Sequence, residues 1–357
     1  MPRIDAYLKQ LKTNRASDLH LVAGLEPRMR VHGDLEQISG ARAISEPDLR
    51  MMLREIVSPA QWQHYEEAME LDFAYGLQGT GRFRANYFNQ ASGAAAVFRL
   101  IPEQMTTLKD LRMPAVVERF AHLRSGLVLV TGPTGSGKST TLAAIINLIN
   151  EKYDKHIITI EDPIEFVHPD KMAVVSQREI GTHTKSFETA LRSAMRQNPD
   201  VLLVGEMRGR EAELAITAAE MGTLVFGSLH TSSAAKTVDR LIDIFPTDQQ
   251  GQIRIGLAEA LAGVVAQLLI PTKDGKGRVA SVEVLVKTTG LPNIIREGNT
   301  PQLLTMMQGG KQYGMQTMDE ALEALVRDGT ISARDAYQRA GDKAVFERLL
   351  DAPADAQ

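Results

Sequence analysis

The chain has 357 residues, enough for two or three domains that each bury a core, and its 43% hydrophobic and 24% charged content is ordinary for a globular protein. A net charge of −4 excludes an overall pull toward nucleic acid or anionic lipid, and zero cysteines exclude disulfides, thiolate zinc sites and thiol nucleophiles. The N-terminal MPRIDAYLKQLKTNRASD lacks a signal peptide's apolar core, and the most apolar long stretch, Leu257 to Ile270, holds Glu259 and Gln267 and is too short to span a bilayer. A reducing cytoplasm fits these features, with any membrane role exerted through partners.

In chain order, Ile4, Tyr7, Leu8 and Leu11 recur at helical spacing, and Ser17 to Leu21 alternates like a strand. Met29 to Ile38 reads as two short strands around the turn signal His32-Gly33-Asp34. Ser45, Glu46 and Pro47 open a helix carrying Leu49, Met52, Leu53 and Ile56, and a second helix after Ser58-Pro59 holds Trp62. Leu71 to Ile101 is β again, so residues 1–102 read as a small α/β domain with an antiparallel sheet. Residues 103–125 form a connector with one helix. From Gly126 strands alternate with helices, which implies a mostly parallel sheet: Val128–Thr131, Ile157–Ile160, Val201–Val204, Leu224–Gly227 and Val279–Val286, within a domain spanning 126–290. Residues 291–345 are helical, and 346–357, ending in DAPADAQ, read as a disordered tail.

The stretch from Gly126 to Asn150 organises the rest. The apolar run Val128-Leu129-Val130 leads through Thr131 into Gly132-Pro133-Thr134-Gly135-Ser136-Gly137-Lys138-Ser139-Thr140, then into an apolar helix. This is G-x-x-x-x-G-K-[ST] between strand and helix, the phosphate-binding loop. Chance gives the pattern in a chain of this length roughly once in a hundred. Glycines let backbone N–H groups close around phosphate oxygens without a Cβ in the way, and the new helix adds its positive end. Lys138 is the candidate ligand of the β- and γ-phosphates, and the Ser139 hydroxyl of Mg²⁺.

Three further strand ends carry chemistry. Ile160-Glu161-Asp162-Pro163-Ile164-Glu165 places three carboxylates at the edge where open α/β sheets bind ligands. Val201 to Val204 runs into Gly205-Glu206, and with Gly205 standing where many ATPases carry Asp, Glu206 must orient water or support Mg²⁺. His230 follows a third strand and is placed to sense the γ-phosphate or to hydrogen-bond the catalytic carboxylate. Thr231 or Ser232 is expected to cap the helix that follows.

GPTGSGKSTT, IEDPIEF, DVLLVGEMR and LHTSSAAKTVDRLID, in this order, resemble the type II/type IV secretion ATPase superfamily, and within it the type IV pilus retraction (twitching-motility, PilT-like) ATPases. SDLHL, RFRANYFNQ and GMQTMDEAL extend the resemblance over nearly the whole chain. It implies a PAS-like N-terminal domain, a RecA-like ATPase domain, a homohexameric ring, and ATP with Mg²⁺ bound between the two domains. It also implies Glu165 as general base, Glu206 as the second-motif glutamate, His230 as the His-box histidine, and Arg82, Arg84 and Arg99 as arginines completing the site. The implied partners are an inner-membrane pilus platform protein and a paralogous retraction ATPase, with no nucleic acid.

Two departures stand out. The family's arginine near Ser92 is missing, and Met207-Arg208-Gly209-Arg210-Glu211 replaces its M-R-D-x-E-T. An assembly or export ATPase of the same superfamily is disfavoured by the absence of a four-cysteine insertion, and a DNA translocase by the acidic balance. A non-hydrolysing switch is disfavoured by the intact Lys138, Glu165 and Glu206.

Overall fold

A computed structural model describes residues 2–14, 16–31, 34–101 and 105–350. The His32-Gly33 part of the expected turn, residues 102–104 at the end of the first domain and the start of the connector, and the DAPADAQ tail lie outside the described residues. The chain divides into two compact units, Met1–Gln104 with Pro163–Val167, and Met105–Asp162 with His168–Gln357.

The first unit contains α1 (Asp5–Thr13), β1 (Ala16–Val22), β2 (Arg28–Val31), β3 (Asp34–Gln37), α2 (Glu46–Arg54), α3 (Pro59–Ala68), β4 (Glu70–Leu77), β5 (Gly81–Gln90) and β6 (Gly93–Ile101). Ser45 caps α2 by accepting from the Asp48 N–H, and Ser58 and Gln61 form a reciprocal capping box on α3, as their sequence positions predict. The strands form one antiparallel sheet in the order β3-β2-β1-β6-β5-β4. Period-2 alternation buries Leu19, Phe83, Tyr87 and Phe98 in one cluster with Leu8, Leu49, Trp62 and Tyr65 of the helices. The Tyr87 ring meets Phe73 edge-on at 5.0 Å and its hydroxyl donates to the Leu53 carbonyl at 3.1 Å, so its polar end is satisfied inside the core.

The second unit contains α4 (Ala115–Phe120), β7 (Gly126–Thr131), α5 (Lys138–Lys152), β8 (His156–Glu161), β9 (Val174–Glu179), α6 (Phe187–Ala194), β10 (Val201–Val204), α7 (Arg210–Glu220), β11 (Leu224–Leu229), α8 (Ala234–Asp243), α9 (Thr247–Ala260), β12 (Leu261–Pro271), β13 (Arg278–Val286), α10 (Leu291–Glu297), α11 (Gln302–Gly309), α12 (Met318–Arg327), α13 (Ala333–Arg339) and α14 (Lys343–Leu350). Its seven-stranded sheet has the order β13-β12-β7-β11-β10-β8-β9, parallel throughout except for β13 against β12. Both faces are covered. Leu127 and Leu129 of β7 join the cluster made with α6 to α11, while Val128 and Val130 join the one made with α4 and α5.

The structure departs from the sequence expectations, or adds to them, in four places. The apolar stretch 257–270 is the end of α9 followed directly by β12, a buried strand inserted beside β7. The connector has its expected helix, and Leu108, Val116, Val117 and Phe120 place it in the core under α5. Helices α10 and α11 belong to the main core through Leu291, Ile295, Leu303 and Met307, so the separate C-terminal cluster comprises only α12 to α14 packed on Ile270 and Val279. Residues 346–350, expected in the tail, belong to α14, where Phe346 is fully buried.

Phe346→Ala is expected to cost about 3 kcal/mol in that cluster, seen as faster amide hydrogen exchange across α12 to α14. Unchanged exchange there would remove α14 from the core.

Candidate active site

Parallel pairing aligns the carboxyl ends of four strands. Thr131 lies opposite Leu229, and Val204 lies opposite both Gly227 and Ile160. The phosphate loop, Glu161-Asp162, Gly205-Glu206 and His230 therefore leave one edge of the sheet together, as a ligand crevice requires.

The loop geometry explains its glycines. Gly132, Gly135 and Gly137 have φ of 146°, 77° and 88°, which side chains rarely adopt. A Cβ on Gly132 would come within 2.2 Å of the Gln267 carbonyl, and one on Gly137 within 2.8 Å of the Gln267 Nε2. Glycine is thus demanded from behind, by β12, as well as by the phosphate in front. Lys138 turns its ammonium onto the carbonyls of Gly132, at 2.9 Å, and Pro133, at 3.0 Å. The Ser136 hydroxyl is buried with no hydrogen-bond partner. A loop with a satisfied but displaceable lysine, an orphaned hydroxyl and glycine-only backbone fits a phosphate chain. Beside Gly137 and Thr140 a cavity of about 740 Å³ opens, with Arg112, Lys276 and Arg278 among its walls.

Glu206 sits among cations. Its carboxylate accepts from the Arg208 guanidinium, and His230 Nε2 lies 3.1 Å from its other oxygen. Burial pushes the Glu206 carboxyl up, but the Arg208 hydrogen bond and charge, helped by His230 and Lys138, outweigh it and hold the group below its ordinary range. It is charged at neutral pH. Gly205 also acquires a reason: a Cβ there would lie 3.2 Å from the Ile160 carbonyl and 3.3 Å from the Glu161 Cα, so an aspartate would press on β8. At the other departure, the Gly209 N–H is taken at 2.9 Å by the Glu211 carboxylate, which also accepts the Arg208 N–H and so does the work of an N-cap side chain. Ser233 caps α8, rather than Thr231 or Ser232.

Glu165 is placed differently from the other residues named so far. The segment Pro163–Val167 packs with the first unit, although β8 before it and β9 after it belong to the second. The chain re-enters at His168, whose N–H donates to Gln177 Oε1 at 2.7 Å, while Gln177 Nε2 donates to Glu161 at 3.2 Å. Arg82, Arg84 and Arg99 lie on one face of the first unit's sheet, Arg84 directly opposite Arg99. Arg99 is engaged by buried Asp18 at 2.8 Å, and Arg84 has Asp72 at 4.0 Å. Ser92, where an arginine was expected, sits in the β5–β6 turn and accepts from Gln90 at 2.7 Å. Among the described residues no cluster of histidine, aspartate and glutamate has the arrangement of a metal cage, and no helix is long and apolar enough to cross a membrane.

Fold and site together define a P-loop nucleotide-binding protein of the doubly covered parallel-sheet class. The comparisons narrow the class. The family described as Type II/IV secretion system protein matches residues 1–347, and the chain belongs to it. It is 48% identical over 320 residues to a twitching motility protein of Neisseria gonorrhoeae, covering 89% of this chain and 85% of that one. It is 48% identical over 326 residues to the type IV pilus retraction ATPase PilT of Pseudomonas aeruginosa, covering 91% and 94%. The crystal structure of the pilus retraction motor PilT with bound ADP matches with a TM-score of 0.89 at 43% identity, covering 96% of this chain and 98% of that one.

His168 gives a test of the segment's anchorage. It is 6% exposed, and burial, with Lys171 adding to it, pushes its imidazole down to about 4. The unfolded imidazole protonates near pH 6.5, so the native state is favoured in full above that pH and loses stability as pH falls toward 4, by about 3 kcal/mol in all. Between about pH 7 and about pH 5.5 the wild type should lose ~1 kcal/mol more than His168→Gln in denaturant melts. Equal losses would contradict a buried neutral imidazole.

Proposed function

We propose that this chain is a motor ATPase that hydrolyses ATP with Mg²⁺ as a homohexamer and powers retraction of a type IV pilus. The observation that carries the reading is the convergence of Lys138, Glu206 and His230 at one sheet edge, in a chain that follows an ADP-binding retraction motor over almost its whole length. The first unit corresponds to the PAS-like domain and the second to the RecA-like domain with its C-terminal helices.

Bound Mg²⁺ and ATP supply a γ-phosphoryl group and the cation that neutralises its charge. Lys138 exchanges its two backbone carbonyls for β- and γ-phosphate oxygens, and the Ser136 hydroxyl gains the partner it lacks. Backbone N–H groups of the loop between Thr134 and Thr140 would cradle the phosphates, and the Ser139 hydroxyl would hold Mg²⁺, supported by Glu206. Glu206, kept ionised, orients the attacking water, and His230 fixes its carboxylate. The cavity beside Thr140 receives the nucleoside. Glu165 is the general base, carried on a segment that packs with the first unit. Arg82 and Arg84 stabilise the departing phosphate, and Arg99, tied to Asp18, supports their strand. The ring works at the cytoplasmic face of the inner membrane on the pilus platform protein, alongside a paralogous retraction ATPase.

Lys138→Ala should abolish measurable nucleotide binding, whereas Glu206→Gln and Glu165→Gln should bind ATP and turn over at least about 100-fold more slowly. Near wild-type hydrolysis in Glu206→Gln would remove it from the catalytic centre. In cells, deletion of the gene should abolish twitching and leave excess surface pili, and twitching in the deletion strain would overturn the motor reading. Arg82→Ala or Arg84→Ala should keep ATP binding and lose on the order of 10³-fold in rate. Wild-type specific activity should also rise with protein concentration as rings assemble. Full activity in both variants, or activity per subunit independent of concentration, would reject a composite site.

A further inference from the structure

Behind the phosphate loop stands a residue that no motif names. Gln267 lies on β12, 3% exposed, on the strand paired with β7 such that its neighbour Ala266 faces Thr131. Its side-chain Nε2 donates to the Ser136 carbonyl at 2.6 Å, and its Oε1 accepts from the Thr141 hydroxyl at 2.9 Å. The two partners bracket Gly137, Lys138, Ser139 and Thr140, one in the loop and one in the first turn of α5. Both are buried, Ser136 at 2% and Thr141 at 0% exposure, so water does not compete for either bond.

The bond to Ser136 has a directional consequence. In a planar trans peptide the C=O of one residue and the N–H of the next point in opposite directions. With the Ser136 carbonyl turned onto Gln267, the Gly137 N–H is directed away from β12, toward the side left for an anion. Were that peptide to flip, its carbonyl oxygen would face the phosphates and repel them, and one cradle donor would be lost. Glycine at 137 makes such a flip cheap, because its backbone admits both conformations. Something must hold the peptide, and Gln267 has the only amide placed to do so among the described hydrogen bonds to that carbonyl.

We propose that Gln267 is a positioning residue for nucleotide binding, locking the Ser136–Gly137 peptide with its N–H toward the phosphates and tying the loop to the start of α5. The inference rests on the nucleotide-site reading above. Two substitutions separate its hydrogen bonds from its bulk. Gln267→Met keeps the volume and removes both bonds. Gln267→Glu keeps the acceptor for Thr141, but its carboxylate cannot donate to the Ser136 carbonyl until it is protonated.

The experiment is titration of the full chain with a fluorescent ADP analogue and with Mg²⁺ and ATP, alongside wild type and Lys138→Ala, with thermal melts to confirm folding. Gln267→Met should weaken binding on the order of tenfold, the effect of one lost orienting hydrogen bond, raising KM more than it lowers kcat. Gln267→Glu should bind more weakly than wild type at high pH and recover toward it as pH falls through the carboxyl's titration. A residue that merely fills space would leave Gln267→Met binding as tightly as wild type, whereas the buried carboxylate of Gln267→Glu repels phosphate at high pH in either case. Wild-type affinity in folded Gln267→Met, or a Gln267→Glu affinity ratio to wild type that is near one at every pH, would overturn the proposal. If Gln267→Met does not fold, Gln267→Leu, which likewise removes both bonds, is titrated in its place and read the same way. If Lys138→Ala binds normally, the nucleotide-site reading falls first and the inference with it.

Discussion

The parallel register of β7, β11, β10 and β8 is the constraint on which the rest depends. It brings four strand ends to one level, so residues more than 90 positions apart in sequence, Lys138 and His230, serve one crevice. The same register decides which side chains go to which face. Leu127 and Leu129 pack toward α7 and α8, and Val128 and Val130 toward α5, so a one-residue slip would invert both cores while displacing the loops. Apolar burial on two faces therefore protects the geometry of the polar edge. The strand that completes this arrangement is β12, which sits behind the phosphate loop and leaves no space for a Cβ at Gly132 or Gly137.

Charge at that edge is balanced by neighbours supplied from separate loops. Glu206 would be raised by its partial burial, yet Arg208, His230 and Lys138 together keep it ionised. The helix α7 that follows lacks a capping side chain at Gly209, and Glu211 covers the exposed N–H groups instead. A buried glutamate on the sheet's edge strand performs a related task on a larger scale. Glu283 of β13 accepts the Ala234 N–H at the start of α8 and the Met318 N–H at the start of α12, joining the helix behind His230 to the C-terminal cluster. Burial, with Asp319 adding to it, pushes its carboxyl up, and the bonds from the two helix N-termini offset that rise only in part.

Most of this architecture was legible in the sequence where local signals suffice. Serine caps before Glu46 and Pro59, β-branched runs bounded by turns, and the phosphate-loop spacing each announce an element through chemistry within a few residues. The placement of the candidate residues was legible to the same extent: Glu206 and His230 follow strand ends readable from the apolar runs before them, and Lys138 opens the helix that the phosphate-loop spacing announces. What escaped was non-local. The strand β12 follows α9 without a glycine or proline, and a continuous apolar run does not declare its period. The edge strand β9 is half exposed and polar from Ser176 onward, so its apolar residues stop at Val174 and Val175. Gln267 matters only because β12 pairs with β7. Around Glu165 the chain leaves the second unit for five residues, Pro163–Val167, and nothing in IEDPIEF marks that exchange.

The most direct measurement of the central claim is the behaviour of labelled pili on living cells that lack the chromosomal copy and carry either the wild-type chain or Glu206→Gln. The account predicts that pili extend in both and retract only with the wild type. Retraction at the wild-type rate with Glu206→Gln would contradict it.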